Sequence, residues 1–172
     1  MSGADAIEIV PYDPAWPASY ESEAALVLSR LDRVPLRISH MGSTAVPGLA
    51  AKPVIDIIML VGDLDEVHPS IGRLEDTGYS FWRDNPDKTK LFLVKGLPPA
   101  PQRTHHLHVY TDAKEFDRRI RFRDVLRGSA RLRADYGNLK HMLAERFADD
   151  REAYTAGKAE FIARAVGESN GD

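Results

Sequence analysis

His40-Met41-Gly42-Ser43-Thr44-Ala45-Val46-Pro47-Gly48, then Lys52-Pro53-Val54-Ile55-Asp56-Ile57-Ile58-Met59-Leu60-Val61, is the stretch on which the fold turns. From Val54 to Val61 every residue except Asp56 is apolar. A short continuous run of this kind, rich in β-branched residues and preceded by proline, predicts a strand inside a sheet and covered on both faces. Before it, Leu36, Ile38 and His40 alternate with Arg37 and Ser39, the period of a half-buried strand. The small-residue turn Gly42–Gly48 joins the two. Asp56 is the anomaly. An ionised carboxylate in such a strand is expensive unless it is paired, hydrogen-bonded or bound to metal, so it is the first candidate for function. The plainer alternative is a buried aspartate accepting bonds from a neighbouring turn.

Working outward, Ile7–Tyr12 reads as a short strand or extended arm that stops at Pro11 and Asp13-Pro14. Tyr20, Ala24, Val27, Leu28 and Leu31 make one stripe and predict a helix from about Ala15 to Leu31. A second helix is expected from about Leu64 to Asp76, ended by Thr77-Gly78. Tyr79–Trp82 and Lys90–Lys95 are strands around the polar turn Asp84–Thr89, and Thr104–Tyr110 is the last strand. Pro98, Pro99 and Pro101 stiffen the connection before it. From Lys114 to Val166 the period is helical, with breaks near Gly128 and Asp149-Asp150. That predicts three closing helices, the middle one with Leu132, Tyr136, Leu139, Leu143 and Phe147 as its stripe. Strands first and helices last indicate an α+β domain with a mixed sheet covered by helices and a C-terminal helical segment. One domain over 1–172 is expected, its sheet-containing part about 7–112 and its helical tail about 113–166.

Composition narrows the classes of function. The chain has 172 residues, 43% apolar and 28% charged, with formal net charge −3 and pI about 6.1. These are values of a chain with a core, and the charge disfavours nucleic acid as a partner. Cysteine is absent, which excludes disulfides, thiolate metal sites and a cysteine nucleophile. No apolar run approaches the roughly 20 residues of a membrane span. Met1 to Ile9 is acidic and lacks a secretory pattern, so the expectation is a cytoplasmic protein with no membrane partner.

Three further features carry chemistry. In Thr104-His105-His106-Leu107-His108-Val109, strand alternation puts His106 and His108 on one face, roughly 6–7 Å apart at Cα. Alone, His-x-His is as well explained by histidines that hydrogen-bond across strands. With one buried Asp it becomes an N/N/O set for a divalent transition metal. In the turn, glycine permits close backbone approach while Ser43 and Thr44 offer hydroxyls, a combination that suits phosphate, with Lys52 at the same mouth. Lastly, Arg118, Arg119, Arg121, Arg123, Arg127, Arg131 and Arg133 crowd one stretch. Most must face water, but Arg119 and Arg123 share a helix face with Phe116 and Ile120 and are placed to meet an anion. Lys140 shares a face with Tyr136, as Lys158 does with Tyr154. There is no Walker loop, no Gly-x-Gly-x-x-Gly and no Gly-x-Ser-x-Gly.

Taken together, Ile9–Trp16, His40–Ile57, Arg103–Val109 and Phe122–Arg127 closely resemble the GrpB-like family, and Tyr136, Leu139-Lys140, Asp150-Arg151, Tyr154, Lys158 and Phe161-Ile162 continue the match. That family is grouped by fold with the nucleotidyltransferase superfamily. The resemblance therefore implies a minimal nucleotidyltransferase-like sheet, with Gly42 and Ser43 in the phosphate turn and Asp56 at the acidic position. In such enzymes carboxylates hold magnesium, which clamps a nucleoside triphosphate for in-line attack at the α-phosphate. Here the chain departs from the pattern. The positions two residues either side of Asp56 are Val54 and Ile58, so the usual second carboxylate is missing. Histidine is a poor magnesium ligand, which points to zinc or manganese ahead of magnesium. The expectation is a nucleotidyltransferase-like protein that binds a nucleotide or other phosphorylated ligand. Gly42, Ser43, Thr44 and Lys52 would hold phosphate, Asp56, His106 and His108 would hold metal or act as acid and base, and Arg123, Lys140 and Lys158 would neutralise charge. The alternative is a catalytically degenerate module that binds a ligand or supports a partner enzyme. Fusion of related chains to a dephospho-coenzyme A kinase implies a link to coenzyme A biosynthesis.

Overall fold

Residues 7–168 are described by the computed structural model; the acidic start of the chain through Ala6 lies outside them. Strand β1 (Arg37–Met41) runs antiparallel to β2 (Ile55–Leu60), and β2 pairs in parallel with β5 (His105–Tyr110). Outside β5 lie β4 (Lys90–Lys95) and β3 (Tyr79–Phe81), both pairings antiparallel. The five-stranded order is β1-β2-β5-β4-β3, so the apolar run is an inner strand with a neighbour on each side. The N-terminal arm makes one bridge, Val10 to Ala51, rather than a sixth strand.

Alternation sorts the strands onto two faces. On the back, Ile55, Ile57 and Met59 meet Leu107, Val109, Leu91 and Leu93 and pack with Trp16 and Val27 of helix α1 (Trp16–Arg30) and Leu74 of α2 (Ile71–Glu75). Each such fully buried side chain contributes about 1.5–3 kcal/mol. On the front, Met41, Ile58, Leu60 and Tyr110 meet Phe116 of α3 (Ala113–Gly128). Asp112 and Ser129 cap α3 and the next helix, α4 (Ala130–Arg146), by accepting from Lys114 N and Leu132 N at 2.8 and 3.2 Å. Leu126, Tyr136, Phe161, Val46 and Leu49 then clamp the helical tail onto the turn between β1 and β2.

Two expectations are corrected. The helix expected over Leu64–Asp76 is two short 3-10 turns, Leu64–Glu66 and His68–Ser70, followed by the single-turn α2. Pro69 is the reason: it has no N–H for the carbonyl four residues back, and it disfavours the helical conformation at His68. Secondly, the tail holds four helices among the described residues, because the last segment divides into α5 (Arg151–Ala156) and α6 (Ala159–Glu168) at Gly157-Lys158. A Cβ on Gly157 would lie 2.5 Å from Leu143 Cδ2, so glycine lets this corner sit against α4.

Candidate functional site

Register makes the site. In the parallel β2/β5 pair Asp56 lies opposite His106 and Ile58 opposite His108, which puts all three polar side chains on the front face. His106 Nδ1 donates to Asp56 Oδ1 at 3.1 Å and His108 Nε2 to the same oxygen at 3.4 Å. Asp56 is therefore not sealed in the core. Its side chain keeps 28% exposure near the start of β2. Burial would raise its pKa, but the hydrogen bonds and charge of the two histidines outweigh that and hold the carboxyl well below its usual range. Burial lowers the pKa of His108 against the pull of Asp56. The second nitrogen of His106, Nε2, is buried with no hydrogen-bond partner, so the protein alone does not satisfy this imidazole. His105 points the other way, to Glu23 of α1 at 3.8 Å, where Lys95 also pairs at 2.9 Å.

One ligand atom from each of Asp56, His106 and His108 lies within 4.8 Å of the others. Around a tetrahedral ion with bonds of about 2.0–2.1 Å, ligand atoms stand roughly 3.3 Å apart. The two Asp–His separations, 3.1 and 3.4 Å, match that spacing, and the two histidine nitrogens lie within 4.8 Å of each other. Two imidazole nitrogens and one carboxylate oxygen suit zinc or manganese, not an all-oxygen magnesium cage.

Gly42 closes the site on one side. Its φ is +73°, and a Cβ there would stand 2.8 Å from Asp56 Oδ2. Glycine thus admits the carboxylate against the turn. Ser43 hydrogen-bonds Tyr136. Thr44 is spoken for, its buried hydroxyl held by His40 Nε2 at 2.9 Å. His40 in turn stacks on Tyr20 at 4.8 Å, and burial lowers its pKa to about 4.

Three lysines converge near one another, and two of them, Lys52 and Lys158, feel the charge of Asp56. Lys140 is 2% exposed and donates to Ala50 O. Burial, then Lys158 and Lys52, lower its pKa to about 7. Lys158 is lowered to about 8 by burial and Lys52, with Asp56 pulling the other way. Lys52 is also lowered, by burial and by Arg151, again with Asp56 opposing. Tyr154 forms the wall between them, with Lys158 Nζ at 4.4 Å and Lys52 Nζ at 5.0 Å from its ring centre. No carboxylate among the described residues makes a salt bridge to any of the three. These are cations held against mutual repulsion, beside a carboxylate.

Arg123 is used elsewhere. Its guanidinium donates to Ser39 Oγ at 2.8 Å and His40 O at 2.9 Å and pairs with Asp124, tying α3 to β1. With Arg127, Tyr12 and Tyr20 it lines a separate cavity of about 220 Å³. Sequence reasoning missed Arg103 and Arg151, both within electrostatic reach of Lys52, and Phe92, whose ring touches His106 and His108 at 5.2 and 4.7 Å. Nothing in the sequence marks Phe92, because its pairing opposite His108 exists only in the sheet.

A model of the GrpB protein family matches residues 6–168. The chain belongs to the GrpB family. A UPF0157 protein of Pseudomonas aeruginosa is 48% identical over 167 residues, covering 95% of this chain and 67% of that one. The crystal structure of the conserved protein GrpB from Enterococcus faecalis is 34% identical and superposes with TM-score 0.84 over 94% of this chain and 96% of that one. A dephospho-CoA kinase of Mycolicibacterium paratuberculosis is 29% identical over 88% of this GrpB chain and 43% of its own length. The structure of Cid1 in complex with its short product ApU matches at TM-score 0.54 and 13% identity, over 87% of this chain and 48% of that one. At that identity the likeness is one of fold. The mixed sheet with its helices is nucleotidyltransferase-like, as the resemblance implied, and no helix among the described residues is long and apolar enough to cross a membrane.

Proposed function

We propose that this GrpB protein binds a nucleotide or other phosphorylated ligand, with phosphate on Lys52, Lys140 and Lys158 and a divalent metal among Asp56, His106 and His108. The observation that carries this reading is the lysine cluster. Three amines crowd together there, Lys140 buried and Lys52 and Lys158 half-buried, with the charge of Asp56 offsetting only part of their repulsion, and a bound anion would relieve the rest. Asp56 at its edge would repel a bare phosphate, and a metal held by Asp56, His106 and His108 would offset that repulsion and supply Lewis-acid polarisation of a phosphoryl group. Gly42 supports the reading by leaving room at the carboxylate. Thr44 and Arg123 take no direct part, since both are engaged within the protein. Titration calorimetry with inorganic tripolyphosphate tests this. Saturable binding is expected, tightened by manganese and weakened by Lys158→Met or Lys52→Met, with the manganese effect lost in Asp56→Asn. Binding indifferent to both lysines would refute it.

A second reading, a module that binds without transferring, is favoured by one feature. Val54 and Ile58 stand where a second acid would complete a two-magnesium site. Pyrophosphate release from a nucleoside triphosphate in the presence of manganese separates the two.

A further inference from the structure

On the front face α3 covers β1, β2 and part of β5, and the remaining strands carry an aromatic row outward from the site. Phe92 on β4 contacts both histidines, and Trp82, just after β3, meets Phe92 edge-on at 6.3 Å. Strand alternation explains this. Trp82 N donates to Phe92 O, and Phe92 lies opposite His108, so all of these rings share one face. Neither Phe92 nor Trp82 belongs to a core cluster, and Trp82 is 49% exposed. The chain's other tryptophan, Trp16, is buried under the back face.

Resting on the phosphate-site reading above, we infer that the Trp82–Phe92 row is the seat of a flat aromatic ring, the nucleobase of a nucleotide whose phosphates lie on the lysines. Two features commit the row to that occupant. It is continuous with the candidate site through ring contacts to both histidines. From β2 to β4 is two strand spacings, roughly 10 Å, a reach that the sugar of a nucleoside phosphate bridges. A π-face holds any base by stacking, so selectivity among bases from the row itself is expected to be slight.

The test compares a ligand that has a base with one that lacks it. Wild type is titrated with ATP, UTP and inorganic tripolyphosphate in manganese, by calorimetry and by tryptophan fluorescence. Stacking of one base predicts nucleotides binding about tenfold tighter than tripolyphosphate, with quenching by nucleotides alone. Trp82→Ala should bring nucleotides to the tripolyphosphate level and leave tripolyphosphate unchanged. Phe92→Leu, which keeps an apolar contact on the histidines, should give part of the same loss. Equal affinity for nucleotide and tripolyphosphate in wild type, or a nucleotide preference that survives Trp82→Ala, overturns the base seat while the lysine site stands. Absence of tripolyphosphate binding overturns the phosphate reading and this inference with it.

Discussion

Gly42→Ala probes the joint between turn and carboxylate. Gly42 has φ +73° and ψ −173°, a region in which a side chain is strained by about 1–3 kcal/mol. The new methyl would also stand 2.8 Å from Asp56 Oδ2. That oxygen belongs to a carboxylate whose other oxygen is held by His106 and His108, so relief requires turning it out of two hydrogen bonds. Bonds to charged groups contribute about 1.5–3 kcal/mol each when intact, and partial loss adds about 1–2 kcal/mol. The sum is a destabilisation of about 2–5 kcal/mol, or a fall in Tm of roughly 4–15 °C for a chain of this size. Urea unfolding of a double-mutant cycle isolates the second part. In an Asp56→Ala background the contact is gone and only backbone strain remains, so Gly42→Ala should cost about 1–2 kcal/mol less there than in wild type. Equal costs in the two backgrounds would show that Asp56 does not press on the turn.

Stability in the absence of anions should rise between about pH 7 and pH 10. Lys140 and Lys158 have folded pKa values near 7 and 8, below their unfolded value of 10.5, so across that window the unfolded chain binds more protons. Thermal melts in a non-phosphate buffer should show the rise, Lys158→Met should flatten it, and a flat wild-type profile would count against mutual repulsion. Below pH 6.5 the sign is the same for His40, whose folded pKa near 4 makes neutral imidazole the stable form, so stability falls as acid protonates it. Elemental analysis of protein exchanged with zinc or manganese should find about one ion per chain, lost in His106→Ala and restored by neither metal; equal metal in wild type and variant would exclude the cluster. Arg123→Ala should lower stability by about 1–3 kcal/mol in urea through its contacts to Ser39 and His40, with tripolyphosphate affinity unchanged.

Much of the scaffold is legible from local pattern. The apolar run Val54–Val61, the alternation through His40 and the His-x-His strand each specify a strand because period two is a property of the backbone, and Lys90–Lys95 is a strand to the residue. Pattern fails where a single residue overrides it. Pro69 broke a helix that the apolar spacing favoured, and Gly157 divided the last helix because Leu143 needs the space. In the site, Asp56 stands out by type, as one charge in an apolar strand. Thr44 and Arg123 have the chemistry of phosphate ligands by type as well, but His40 and the β1 backbone occupy them. Chemical type says what a side chain can bind, not what it has already bound.

What the sequence determined by itself is therefore which residues carry charge and which face of each strand they occupy, since alternation along one strand is local. The tertiary structure decided which strands are neighbours. Only the parallel pairing of β2 with β5 sets Asp56 opposite His106, and only β4 against β5 sets Phe92 opposite His108. Folding of the helical tail over the turn brings Lys140 and Lys158 to Lys52, 88 and 106 residues away along the chain. Those contacts come from burying apolar surface elsewhere, on Leu126, Tyr136 and Phe161, and that long-range packing leaves no local signature at the lysines themselves.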